Sequence, residues 1–199
     1  MDNTSALGHP PPHGPRDRRR IVAIALGMVT LTAGWPLIGL ALSDREPVRP
    51  GTVLWLGPGR QSAALRIVGD GWQVRKAESD PDVSYALSLD GVDLVARYVA
   101  LASRTGARRL WAGLGRVQSV ADQDSRLGGP RPVTSSGGAS GLTGALARDG
   151  RAGTATLWLP PGASYAVEVT VLAKPGAGPR ARADASATAR SVAFLGGGS

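Results

Sequence analysis

The chain has 199 residues, a formal net charge of +8 and 23 basic residues, of which only Lys76 and Lys174 are lysine. It contains no cysteine, which excludes a disulfide framework, a thiolate metal site, a cysteine nucleophile and a lipid-modified N-terminal cysteine. His9 and His13 are the only histidines and lie near the start, so nothing after them can supply an imidazole base to a nucleophile.

Residues 1–20 include "GHPPPHGPRDRRR", rich in Pro, Gly and polar side chains, and predict a disordered cytoplasmic tail. Its three consecutive prolines, 10–12, fit a proline-binding groove as an alternative to a plain solvated leader. The two histidines, four apart and without further ligands, make no metal site.

Residues 21–42 give 22 positions without a charge. As a helix rising about 1.5 Å per residue they would span roughly 33 Å, against a hydrocarbon core of roughly 30 Å. Gly27, Gly34, Gly39 and Pro36 weaken a helix in water but are tolerated in a membrane. Arg16, Arg18, Arg19 and Arg20 crowd the N-terminal flank, while Asp44-Arg45-Glu46 on the other side is mixed. The positive-inside rule then puts the tail in the cytoplasm and the rest outside, as a single-pass plasma-membrane protein. A cleaved export signal remains open, because Ala41-Leu42-Ser43 has small residues at suitable spacing for cleavage near Ser43. The arginine cluster lacks the pattern that follows a twin-arginine signal.

Residues 43–51, with "DREPVRPG", predict a linker, and 52–195 the extracytoplasmic domain. From residue 43 onward 19 basic residues stand against 13 acidic, leaving +6 spread along the chain, too dispersed for a nucleic-acid surface. "AALRIVGDGWQVRKA" predicts two strands about Asp70-Gly71, with Trp72 as a core anchor. "VSYALSLDGVDLVARYVAL" alternates with period two around Asp90-Gly91, a favoured hairpin turn. In "TGARRLWAGLGRVQSVAD" the period changes. Leu110, Leu114, Val117 and Ala121 form one helical stripe widened by Trp111, with Arg108, Arg109 and Arg116 off its centre.

"LGGPRPVTSSGGASG" predicts a loop. A meander follows: Leu142 to Arg148, a turn at Asp149-Gly150, Ala152 to Leu159, then Tyr165 to Ala173 beyond Pro160-Pro161-Gly162. In its last strand Tyr165, Val167, Val169 and Val171 share one face. Ala166, Glu168, Thr170 and Leu172 share the other, which predicts a wetter side. The alanine-rich end predicts a helix from about Arg180 to Ser191, with Val192 and Phe194 packing inward and 196–199 flexible. The expected class is therefore α+β: one N-terminal transmembrane helix, then an antiparallel sheet domain with an amphipathic helix and a C-terminal helix.

Gly71-Trp72 after a first strand and the closing helix ending in Ser191-Val192-Ala193-Phe194 are points at which the chain resembles the PsbP-like fold superfamily, including its actinobacterial envelope members. The resemblance covers roughly residues 63–194 and rests on element order. It implies a fold that works mostly without catalysis, through protein contacts. Unlike the lipoprotein members this chain has no lipobox cysteine, so an anchor helix would replace the lipid. No family site residue transfers.

No catalytic, cofactor-binding or metal-binding constellation emerges. "GLGRVQ" lacks the third glycine of a dinucleotide fingerprint, and neither lysine sits in a phosphate loop. Glu78, Asp80 and Asp82 in "ESDPD" read as a turn between strands, with calcium ligation as the alternative. Trp55, near the linker, is the tryptophan least suited to the core. The expected function is a non-catalytic protein-interaction module of the cell envelope. It would bind a membrane or envelope protein through a sheet face or the 127–141 loop, with the bilayer as its other partner. The alternative is a ligand-binding domain for a lipid or anionic polymer, held between helix and sheet by Arg97, Arg104, Arg108, Arg109 and Arg116. A third, an acid-catalysed hydrolase, would need two facing carboxylates.

Overall fold

A computed structural model describes residues 44–59, 61–101, 106–121, 124–162 and 164–195. They belong to one compact unit, Asp44–Ser199. In chain order the first half holds β1 (Arg45–Val48), β2 (Val53–Leu56), β3 (Ala63–Arg66), β4 (Trp72–Arg75), β5 (Ser84–Leu89), β6 (Val92–Ala100) and helix α1 (Ala107–Ala121). The second half holds β7 (Arg126–Leu127), β8 (Arg131–Thr134), β9 (Ser140–Arg148), β10 (Arg151–Leu159), β11 (Tyr165–Ala173), helix α2 (Pro179–Ala189) and β12 (Ala193–Phe194).

Nine strands form one antiparallel sheet in the order β1-β4-β5-β6-β11-β10-β9-β7, with β8 also on β9; a small sheet runs β12-β3-β2. The expected α+β class is corrected by this. Of the described residues 47% are strand and 20% helix, so the described part is mainly antiparallel sheet. No described helix is long and apolar enough to cross a membrane, and the transmembrane segment expected at 21–42 lies outside the described residues, as do the 1–20 tail and 196–199.

Local chemistry explains the hairpins. Asp90 and Gly91 have φ of 40° and 79°, and Asp149 and Gly150 have 51° and 68°. Both central residues of each turn are left-handed, the geometry whose twist matches paired strands. Other expectations fail for identifiable reasons. The segment read as a linker contains β1, which pairs with β4 from Arg45↔Arg75 to Val48↔Trp72 despite its proline. An edge strand tolerates proline because one side of its backbone has no ladder to break. The strands about Asp70-Gly71 do not form a hairpin: β3 joins the small sheet and β4 the large one. The 127–141 loop contains β8, whose Arg131 to Thr134 pair with Thr143 to Ser140.

β11 is buried along its whole length. Tyr165, Val167, Val169 and Val171 meet a core containing Trp72, Leu87, Leu94, the small sheet's Leu56, Leu65 and Ile67, and Ala181, Ala185 and Ala189 of α2. The alanines let α2 lie close to the sheet. The opposite face meets α1 through Trp111, Leu146, Ala155, Leu157, Ala166 and Leu172. The face expected to be wetter is thus covered.

The phase of α1 also differs from the predicted stripe. Trp111 and Gln118 are buried, whereas Val117 is 64% and Val120 87% exposed. The helix turns Gln118 inward because a polar partner, Glu168, waits there.

The small sheet is completed by side chains. Ile67 bonds towards the chain leading into β2, its N donating to Thr52 O at 2.9 Å and its O accepting from Gly51 N at 2.8 Å, so its neighbours Arg66 and Val68 turn their backbone groups the other way. Arg66 N donates to Ser191 Oγ at 2.8 Å, and Val68 N to Thr188 Oγ1 at 3.0 Å. Two hydroxyls at the end of α2 thereby continue the ladder that β12 begins.

Candidate binding groove

A groove of about 480 Å³ lies between the turn ahead of β9 and the end of β10. Gly137, Gly138, Ala139 and Ser140 form one wall, Leu159, Pro160 and Pro161 another, and Phe194 of β12 the floor. The glycine wall is clamped to the chain beside it. Ser136 N donates to Arg190 O at 2.8 Å, and Ser135 Oγ to Val192 O at 2.6 Å. A Cβ on Gly137 would lie 2.6 Å from that of Ala193, so only glycine permits this approach.

Strand pairing gives the floor its chemistry. Ala193 pairs with Ala64, and Phe194 stands opposite Ala63. Ala63 turns its backbone groups towards β2, as Ile67 does, so Phe194 presents its N–H and C=O away from β3. Among the described residues no strand pairs with β12 on that side. Its ring meets Tyr165 edge-on at 5.6 Å, and Tyr165 stacks on Tyr98 at 5.3 Å. The Tyr165 hydroxyl donates to Ser62 O at 3.3 Å, and burial followed by the neighbouring Tyr98 raises its pKa above the ordinary 10.0. Trp55, on β2, is 49% exposed, in keeping with its being least suited to the core; Trp72 and Trp158 are fully buried.

A second polar feature lies under α1. Glu168 is buried and accepts hydrogen bonds from Gln118 Nε2 and Thr170 Oγ1, both at 3.3 Å, while Arg148 Nη1 donates to Gln118 Oε1 at 3.2 Å. The adjoining cavity is only about 20 Å³, about the space of a single water-sized group. Glu168 is the only carboxylate among its lining residues, which leaves a two-carboxylate mechanism without its second member at that place.

Of the arginines singled out in the sequence as ligand-facing, one lies on β6 and three on α1. Arg97 is exposed on β6, opposite Glu168 in the ladder, and reaches the small cavity. Arg108, Arg109 and Arg116 are exposed along α1. Between helix and sheet, Trp111, Leu110 and Leu114 pack against Leu146, Ala155, Leu157, Ala166 and Leu172. Arg104 and the flank Arg16, Arg18, Arg19 and Arg20 lie outside the described residues. The acids of "ESDPD" close a turn in which Asp82 N donates to Asp80 Oδ1 at 3.0 Å. Among the described residues no group of three or more His, Asp or Glu is placed to hold a metal ion.

The 127–141 loop expected to bind a partner supplies one wall, Gly137 to Ser140; the rest escaped sequence reasoning, because it is proline and backbone rather than reactive side chains. The "SSGG" and "PPG" turns were the available signal. No protein-family model, curated protein or solved structure matches the chain.

Proposed function

We propose that the domain is a non-catalytic binding module of the cell envelope that takes an extended segment of a partner protein in the groove beside β12. The unpaired backbone edge of Phe194 in the floor of an apolar groove carries this reading. Strand addition uses such an edge for affinity and the flanking walls for side-chain choice. The PsbP-like resemblance, to a family that works mainly by protein contacts, points the same way. Placement outside the cytoplasm is supported by the uncharged sequence 21–42 behind four arginines, whether it is retained or cleaved. Protease treatment of intact cells should digest the domain; protection until the membrane is breached would reverse the orientation.

A photoreactive residue at exposed Ser140 of the full chain, in its own membranes, should capture a defined partner species. Pro161→Glu, which puts a charge in the apolar wall without touching the core, should abolish that capture. An undiminished crosslink in the Pro161→Glu protein overturns the proposal.

A second reading has its own observation. α1 contains no acidic residue, and Arg108, Arg109 and Arg116 are exposed with no ion pair among the described residues. Such a face suits an anionic polymer or lipid surface. Binding to anionic vesicles that is lost in Arg109→Gln/Arg116→Gln and weakens with salt supports it; salt-independent retention counts against it.

A further inference from the structure

On the other side of the clamped 135–137 turn lies a separate groove of about 440 Å³. Arg66 of β3 and Arg190, which follows α2, line it together with Thr134 and Ser136. We propose that this groove binds a phosphate-type anion between the two guanidinium groups, independently of the partner groove beside β12.

Three observations carry the inference. First, neither guanidinium has an ion pair or hydrogen bond with any described residue, and no carboxylate lines the groove. Two cations on one concavity without a counter-charge repel each other, and an anion relieves that repulsion.

Second, nearby backbone acceptors are already occupied. Arg190 N donates to Ser186 O at 3.1 Å, and Ser191 N to Thr188 O at 3.0 Å. Arg190 O accepts from Ser136 N, and Val192 O accepts from Ser135 Oγ. The closing carbonyls of Ser186 and Thr188, like that of Ala189, which accepts from Trp158 Nε1 at 3.1 Å, are therefore held by other donors and do not satisfy the arginines.

Third, the backbones carrying the two arginines are fixed. Ser191 Oγ accepts from Arg66 N at 2.8 Å and lies 2.9 Å from Arg66 O, while the 2.8 Å bond from Ser136 N holds Arg190. Binding has to order only two side chains. A guanidinium fork matches tetrahedral oxyanions in paired hydrogen bonds, and the unbonded Thr134 hydroxyl adds a neutral donor at the rim.

The test uses the full chain in detergent, with inorganic phosphate titrated at constant ionic strength and thermal unfolding as the readout. Phosphate should raise the Tm of the wild type and of Arg109→Gln/Arg116→Gln equally. Arg66→Gln/Arg190→Gln should weaken the apparent affinity at least tenfold while keeping its phosphate-free Tm within a few degrees. Thr134→Glu is a second variant, placing a carboxylate in the groove with both arginines kept. It should raise the phosphate-free Tm and suppress the phosphate response.

Absence of a response in the wild type, or an equal response in Arg66→Gln/Arg190→Gln, overturns the site. A response lost in the α1 pair and kept in the groove pair overturns it too, by moving the anion to α1. Vesicles of phosphatidylcholine with phosphatidic acid then identify the source. Flotation that depends on Arg66 and Arg190 assigns a lipid headgroup. A response to inorganic phosphate and glycerol phosphate without such flotation assigns a free phosphate compound.

Discussion

Glu168 is the residue with most at stake chemically. It occupies the middle of a strand buried on both faces, where a carboxylate without donors would be costly. Gln118 on α1 and Thr170 on the same strand supply those donors, each at 3.3 Å. Gln118 in turn accepts from Arg148, whose Nε lacks a hydrogen bond although the Asp149 carboxylate lies 3.6 Å away. The pair ties the helix to the sheet by satisfaction rather than by apolar contact. Gln118→Leu should therefore destabilise the fold by about 1–3 kcal/mol, because it leaves a buried acceptor short of a donor. Glu168→Leu should cost a similar amount by orphaning the amide. The double variant should be less destabilised than the two losses added, since both polar partners then disappear together. Urea unfolding of the four proteins measures this; strict additivity would mean that the two side chains do not act as a pair.

Helix α1 depends on a glycine as well as on its own apolar face. The ring of Trp111 covers Gly144 of β9, and a Cβ there would lie 2.7 Å from the ring and 3.1 Å from the carbonyls of Gly128 and Gly129. Gly144→Val should cost about 1–3 kcal/mol by overpacking, with a change in tryptophan fluorescence reporting the displaced ring. At the far end of the chain, Ser191 and Thr188 act as substitute backbone for β3. Ser191→Ala should accelerate exchange of the Arg66 amide, and Thr188→Val that of the Val68 amide, with a stability loss of about 1 kcal/mol each. Unchanged exchange at both amides would show the hydroxyls to be dispensable. These dependences explain what the sequence made legible. Hairpins set by Asp90-Gly91 and Asp149-Gly150, the nine-residue span of β11 and the extent of both helices follow from local turn chemistry and period. The inward turn of Gln118, the pairing of β1 with β4 and the division of β3 and β4 between two sheets depend on contacts far along the chain, which periodicity does not carry. The open edge of β12 was invisible for a related reason: its chemistry is the backbone of Phe194, and only register shows which way that backbone faces.

The two sheets meet at Tyr165, and this makes the whole molecule sensitive to alkali. Tyr165 belongs to the large sheet, stacks on Tyr98, supports Phe194 of the small sheet and donates to Ser62 O just ahead of β3. Burial, reinforced by Tyr98, pushes its pKa above the ordinary 10.0; burial and the Asp82 carboxylate do the same to Tyr85 on β5. The folded state therefore favours the neutral phenols more than the unfolded chain does. Their contribution is fully present below the unfolded value near 10 and is lost as pH rises through the higher folded values. Stability should hold up to about pH 9.5 and then fall as unfolding begins to release protons. Tyr165→Phe loses one hydrogen bond, so it should be less stable than the wild type by about 1 kcal/mol at neutral pH. The difference should narrow above pH 10, because phenylalanine cannot ionise. Adding Tyr85→Phe should flatten the curve further. Urea midpoints at intervals from pH 7.5 to 11 decide the matter, and parallel wild-type and variant curves would remove tyrosine ionisation as the cause of alkaline unfolding.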